Sequence, residues 1–285
     1  MKYQTPGGLY PTCIALHEAG AYIIAHPIGD GPIDADRTLL FAVQNDVATL
    51  IRDFGIEITG IAWLDGSLFA VDGYSGLYRL RDGDWRDLPD VGDPVPRINA
   101  LRVVGGQLHG LTSEGVICLW QDPAWIEITP NDDDTYLFDL ALEGTGKMMA
   151  TGDNGFLAYV VNGGFQQIDV PTNASLTSVF ALSRDTILVT GWNATALMGS
   201  ADQLTQLDVE GRTETLMNTV RWENRILIAA NEEILELKGT TLSVFGTTPA
   251  IRLTCDGNQL WKQYGRGVDR YENGRWVNVP LVANI

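Results

Sequence analysis

The stretch GLYRLRDGDWRDLP at residues 76–89 returns far downstream as GVDRYENGRWVNVP at 267–280. Both read as Gly, a short alternating run, a turn, a tryptophan and a second alternating run that closes at Pro. The same phrase stands at 115–130 (GVICLWQDPAWIEITP) and 155–171 (GFLAYVVNGGFQQIDVP), with looser copies at 38–55, 194–209 and 233–246. The first large residue after each turn is Leu50, Trp85, Trp125, Phe165, Leu204, Leu242 and Trp276, at successive spacings of 35, 40, 40, 39, 38 and 34. A period held over nearly a whole chain restricts it to architectures in which one supersecondary unit is stacked on copies of itself.

Each copy follows a second pair of short apolar runs, such as ITGIAWLDGSLFAVD (58–72), INALRVVGGQLHGLT (98–112) and LTSVFALSRDTILVT (176–190). Val, Ile, Leu, Thr and aromatic residues fill these runs, and DG or GG pairs between them suit tight hairpins. One unit is therefore four short antiparallel strands in about 40 residues, the length of a β-propeller blade. A lone sheet of that size leaves both faces wet, whereas a ring of them covers the faces and leaves only short edges. The prediction is an all-β, single-domain β-propeller over 1–285 with seven four-stranded blades near 12–54, 56–89, 97–130, 136–171, 175–209, 215–246 and 249–280. Six blades with an N-terminal cap is the alternative. The fourth run of the last unit, WVNVP, predicts closure by packing, or by residues 1–5 on an edge, without a borrowed strand. The tryptophans after the turns are expected to wedge between blades.

Composition limits function more than it defines it. With 36 acidic against 19 basic residues the chain carries a net charge of −17. That field repels nucleic acid and anionic membranes and attracts basic partners. No apolar run approaches the eighteen or so residues that span a bilayer. The N-terminus, MKYQTPGGLYPTC, has no apolar signal core, so the expected location is the cytoplasm. Cys13, Cys118 and Cys255 are too few and too scattered for a disulfide framework or a zinc knuckle. His17, His26 and His109 have no metal-ligand spacing, and no GxSxG, Walker A or GxGxxG motif occurs. No cofactor is predicted.

Across about 270 residues the repeats resemble β-propeller repeats without a well-marked subclass. The GH and WD pairs of WD40 repeats are missing; Leu119–Trp120 is followed by Gln121. RDGDW, NGGF and ENGRW are similar to the Asp-box turn of sialidases but lack its leading Ser, so that activity is not carried over. The phrase GDNG-x-L at Gly152–Leu157 resembles turns of photosystem-assembly-factor-like propellers. As a small, acidic, unexported propeller, the chain also resembles immunity proteins that neutralise bacterial nuclease toxins. That resemblance implies a partner with a positive cleft, in which carboxylates stand in for phosphates.

Loops joining second to third strands, and loops joining blades, share one face of a propeller. They gather Asp30, Asp34, Asp36, Asp72, Asp90, Asp93, Asp132, Asp133, Asp134 and Asp153, beside Tyr74, Tyr136 and Trp192. Only Arg37, Arg97, Arg212 and Arg266 offset them. Loops on a rigid scaffold are the usual place of recognition. The expected function is thus non-enzymatic: a propeller, monomeric when free, whose acidic loop face engages a basic protein, in the sharper form a nuclease-like toxin. The alternative is a divalent-metal-dependent, lactonase-like hydrolase with Asn99, Asp139 and Asn218 ringing the channel mouth. The acidic runs PNDDDTY and GDGPIDAD offer the oxygen ligands calcium prefers, but neither fits the spacing of an EF-hand loop.

Overall fold

The computed structural model describes residues 8–28, 36–88, 95–129 and 135–283. Seven four-stranded antiparallel sheets follow one another along the chain, at residues 9–53, 58–88, 98–129, 137–167, 176–206, 216–246 and 252–278. The first strand of each sheet touches the first strand of the next, and that of the last sheet touches that of the first, closing a ring. The molecule is a seven-bladed propeller, and the alternative of six blades with a cap falls away. Among the described residues there is no helix long and apolar enough to cross a membrane.

The refrain of the sequence is the outer hairpin of a blade. Asp82 and Gly83 lie at φ 52° and 86°, and Asn273 and Gly274 at 49° and 81°. Two consecutive left-handed residues make the turn whose twist matches that of the flanking strands, and Asn, Asp and Gly adopt it at least cost.

The core lies between blades. One cluster joins Phe69, Val71 and Leu77 of blade 2 to Ile98, Leu101, Leu108 and Trp125 of blade 3. Trp125 is 3% exposed, and burying such a side chain stabilises by roughly 3 kcal/mol. Trp85 meets Phe54, from the segment leaving blade 1, edge to face at 5.5 Å, and the Arg52 guanidinium lies 4.6 Å from its centroid. Trp276 packs against the cluster that joins Leu227, Ala229 and Ile234 of blade 6 to Leu253 and Leu260 of blade 7. All three tryptophans therefore occupy boundaries between blades.

Closure uses side chains. Gln263 in blade 7 donates to the Pro11 carbonyl of blade 1 at 2.7 Å, and Gln259 donates to the His17 carbonyl at 3.1 Å. Ile14, Ala21, Ile23 and Val43 pack against Trp261, Val268 and Val279 beneath this seam. The last blade holds its own fourth strand, Arg275–Asn278. Residues 1–5, the other expected means of closure, lie outside the described residues.

Inner strands carry one further regularity. A β-bulge interrupts the register near the start of six of them, between Pro11 and Cys13, Ile58 and Gly60, Ile98 and Ala100, Leu137 and Asp139, Leu176 and Ser178, and Leu216 and Asn218. A bulge inserts one residue, bends the strand and resets which side chains face the axis. Cys13, Asp139, Ser178 and Asn218, each just past its bulge, line the central channel.

Candidate functional site

Two regions carry side chains that packing alone does not explain: the loop face and the central channel. On the loop face Tyr74 is 91% exposed, Trp192 49% and Tyr136 38%. Each ring stands on a segment tied down by hydrogen bonds.

Tyr74 occupies the turn between Ser67–Asp72 and Leu77–Arg81 of blade 2. Asp72 is buried at its base. One carboxylate oxygen accepts the backbone N–H of Tyr74 at 2.7 Å and of Gly76 at 2.9 Å. The other accepts the Tyr78 hydroxyl at 2.9 Å. Burial, and then this bond to Asp72, push the Tyr78 phenol up to about 12. Ser75, at φ 68°, donates its hydroxyl to the Pro96 carbonyl at 3.0 Å and accepts the Ile98 N–H at 3.1 Å. The turn is thereby bonded to the segment entering blade 3.

The same device recurs around the ring. Asp153 donates its N–H to the Tyr136 carbonyl at 3.0 Å, and its carboxylate accepts the Tyr136 N–H at 3.2 Å. Trp192 donates its N–H to Ser175 at 2.9 Å and accepts that of Thr195 at 3.0 Å. Asp72 and Asp153 thus build the turns that hold aromatic rings outward. Asp36 is exposed. Asp30, Asp34, Asp90, Asp93, Asp132, Asp133 and Asp134 lie outside the described residues, as do most of both acidic runs weighed for calcium.

Cations on this face are largely neutralised. Arg97 pairs with Glu57 at 2.7 Å, and Arg212 with Glu233 at 2.9 Å and Glu214 at 3.7 Å. Arg37 pairs with Asp53, whose carboxyl it holds below the usual range. Such pairs contribute little stability, but they remove positive charge from the face.

The channel encloses about 840 Å³, from Trp192 near the loop face to Trp63 and Asp256 near the opposite one. Asp139 lines it, accepting from Arg102 at 2.9 Å and from the Val179 N–H at 3.3 Å. Asn218 also lines it and spends its amide on the next inner strand, donating to the Leu253 carbonyl and accepting the Leu253 N–H, both at 2.9 Å. Asn99 is not on the wall; it accepts from Arg97 at 3.2 Å. Among the described residues no group of three or more His, Cys, Asp or Glu side chains is arranged to hold a metal ion. Arg102 and Arg252, which the sequence reading passed over, are the cations of this cavity. Their signal was an arginine set among apolar residues on two inner strands, in NALRVV and RLTC.

No protein-family model matches the chain, and no curated protein matches its sequence. Solved structures do match its fold. The extracellular domain of a hybrid two-component system from B. thetaiotaomicron superposes with a TM-score of 0.70 at 12% identity, over 95% of this chain and 39% of that one. The chain therefore spans about two fifths of that domain's length. A streptogramin B lyase gives 0.67 at 15% identity, over 79% of this chain and 83% of that one. YCF48 bound to D1 peptide gives 0.62 at 16%, over 80% and 76%. Likeness at these identities establishes the seven-bladed β-propeller fold.

Proposed function

We propose that this chain is a non-enzymatic binding module whose loop face docks a basic protein. Tyr74, Tyr136 and Trp192 are the anchors, and the surrounding carboxylates steer the encounter. The observation that carries the reading is Tyr74, a ring almost wholly in water on a turn fixed by the hydrogen bonds of Asp72 and Ser75. A ring so placed contributes nothing to the core. A rigid aromatic on an ordered turn loses little entropy on binding, which is what an interface anchor requires. The net charge of −17, with Arg37, Arg97 and Arg212 paired off, favours a positive partner and a salt-sensitive association rate. A propeller of like fold, YCF48, has been solved with a peptide bound, in keeping with a scaffold of this shape presenting a recognition surface.

The sharper form of the proposal is an immunity protein. A nuclease-like toxin has a cleft built for phosphates, and carboxylates on a rigid face can occupy it.

Capture from host lysate, with elution along a salt gradient, compares the wild type with the Tyr74→Ala/Trp192→Ala double variant. The proposal predicts a stoichiometric basic protein on the wild type, released at moderate salt and missing from the variant. Equal capture by both proteins would count against the loop face. The absence of any basic partner would count against the function.

A further inference from the structure

The central channel presents a paradox of charge. In a protein with a net charge of −17, the cavity on the axis holds two arginines. Arg102 is neutralised by Asp139 at 2.9 Å and also donates to the Leu101 and Phe138 carbonyls, each at 3.0 Å. Arg252 opens the inner strand of blade 7, Arg252–Cys255. It lines the same cavity, and its guanidinium takes part in none of the hydrogen bonds or ion pairs among the described residues. Its surroundings strip water from the guanidinium, and the charge of Arg102 adds to the cost against the opposing pull of Cys13 and Asp139, so its proton is held less firmly than usual.

A cation without a bonded partner is costly to keep where water is partly excluded. The rest of the wall is mixed, with Thr177 and Thr254 beside the apolar Phe138, Met217 and Val220. A cavity of this size, with apolar side chains and a few convergent polar groups, is the usual form of a small-molecule site.

We propose that the channel binds a small molecule bearing one carboxylate and an apolar body, with Arg252 holding the carboxylate. Pairing favours a monoanion. Asp139 is bonded to Arg102, and Asp256, at the far mouth, accepts the Asn258 and Gln259 N–H groups. Among the described residues Arg252 is therefore the one charge of the lining without a bonded partner. Its planar guanidinium matches a planar carboxylate through two parallel hydrogen bonds. A phosphate dianion would leave one of its charges uncompensated in a partly desolvated cavity. This site meets the docking surface at Trp192, but the inference does not rest on that reading.

Calorimetric titration of the full chain with acetate, butyrate, phenylacetate and indole-3-acetate tests the proposal, with inorganic phosphate and benzylamine as controls. The expected result is one-site binding that tightens with apolar size, and no binding of benzylamine. Arg252→Gln should weaken it at least tenfold. Arg252→Met should lose binding yet melt higher than the wild type, because replacing an unpaired, desolvated charge by an apolar chain stabilises a protein. Saturating carboxylate should raise the melting temperature of the wild type and leave that of Arg252→Met unchanged. Absence of saturable binding across the carboxylate series, undiminished binding by Arg252→Gln, or tighter binding of phosphate would each overturn the site. A lowered melting temperature for Arg252→Met would overturn it too, by showing that the arginine serves the fold.

Discussion

The indole N–H of Trp125 in blade 3 donates to the carbonyl oxygen of Ser75 in blade 2, at 3.2 Å. This bond connects the repeat to the recognition surface. Trp125 is one of the wedges between blades, and Ser75 adjoins Tyr74 in the turn that holds its ring in water. The packing that closes the propeller therefore also stiffens its most exposed aromatic.

Trp125→Phe tests that connection. The phenyl ring keeps much of the burial but leaves the Ser75 carbonyl without its donor, at a cost of about 1–3 kcal/mol. Urea unfolding should show that loss with an unchanged denaturant slope, and amide exchange should quicken at Tyr74 and Gly76. Unchanged exchange in that turn would separate the wedge from the loop.

Asp72 and Asp36 should behave as different kinds of acid, although the sequence presents both as members of one negative face. Asp72→Ala removes the acceptor of three hydrogen bonds and should destabilise by about 2–4 kcal/mol. Without that carboxylate, Tyr78 should titrate below its present value of about 12, as read by ultraviolet absorbance. Asp36→Asn should leave stability within about 0.5 kcal/mol and act, if at all, on association rate.

A buried ion pair in blade 7 offers an asymmetric test. Lys262 bonds Asp269 at 2.9 Å with both side chains largely buried, and also donates to the Pro249 carbonyl at 3.2 Å. Tyr264 and Asn278 donate to the same Asp269 oxygen, at 3.1 Å and 3.0 Å. Asp269→Ala strands a buried ammonium and should cost about 3–5 kcal/mol, whereas Lys262→Met/Asp269→Leu should be nearly neutral. Thermal melts of the single and double variants decide it.

Acid should weaken the fold before carboxylates begin to titrate. Burial lowers the pKa of His109 below 6.5, against the opposing pull of the Gln107 carbonyl. Burial lowers that of His17 likewise, against Asp256 and Glu18. Below pH 6.5 the unfolded chain therefore binds more protons than the folded one. The stabilisation from these neutral histidines is complete above that pH and is lost as pH falls toward their folded values. Melting temperature should drop between pH 7 and 5, and His109→Gln should flatten the drop.

The fold was legible because a propeller writes its period into the chain. DG and NG turns, alternating runs and a bulky residue after each turn recur wherever a blade recurs. Site residues were harder to read because alternation fails at the bulges. Asn99 is the inserted residue between Ile98 and Ala100 and bonds Arg97 away from the wall, while the inserted Phe138 and Met217 line the channel together with Asp139 and Asn218, which follow their bulges. Asp72 and Asp153 were legible as loop acids, but the backbone N–H groups they accept are visible only in three dimensions. Arg252 was hidden by the charge balance itself, since an excess of acid directs attention away from a lone cation on a strand.

Hydrogen–deuterium exchange on the complex with the captured basic protein tests the docking face most directly. Protection should concentrate on the turns around Tyr74 and Trp192 and on the segment at Tyr136. Protection confined to the opposite hairpins, at Asp65–Gly66 and Asp256–Gly257, would contradict the account.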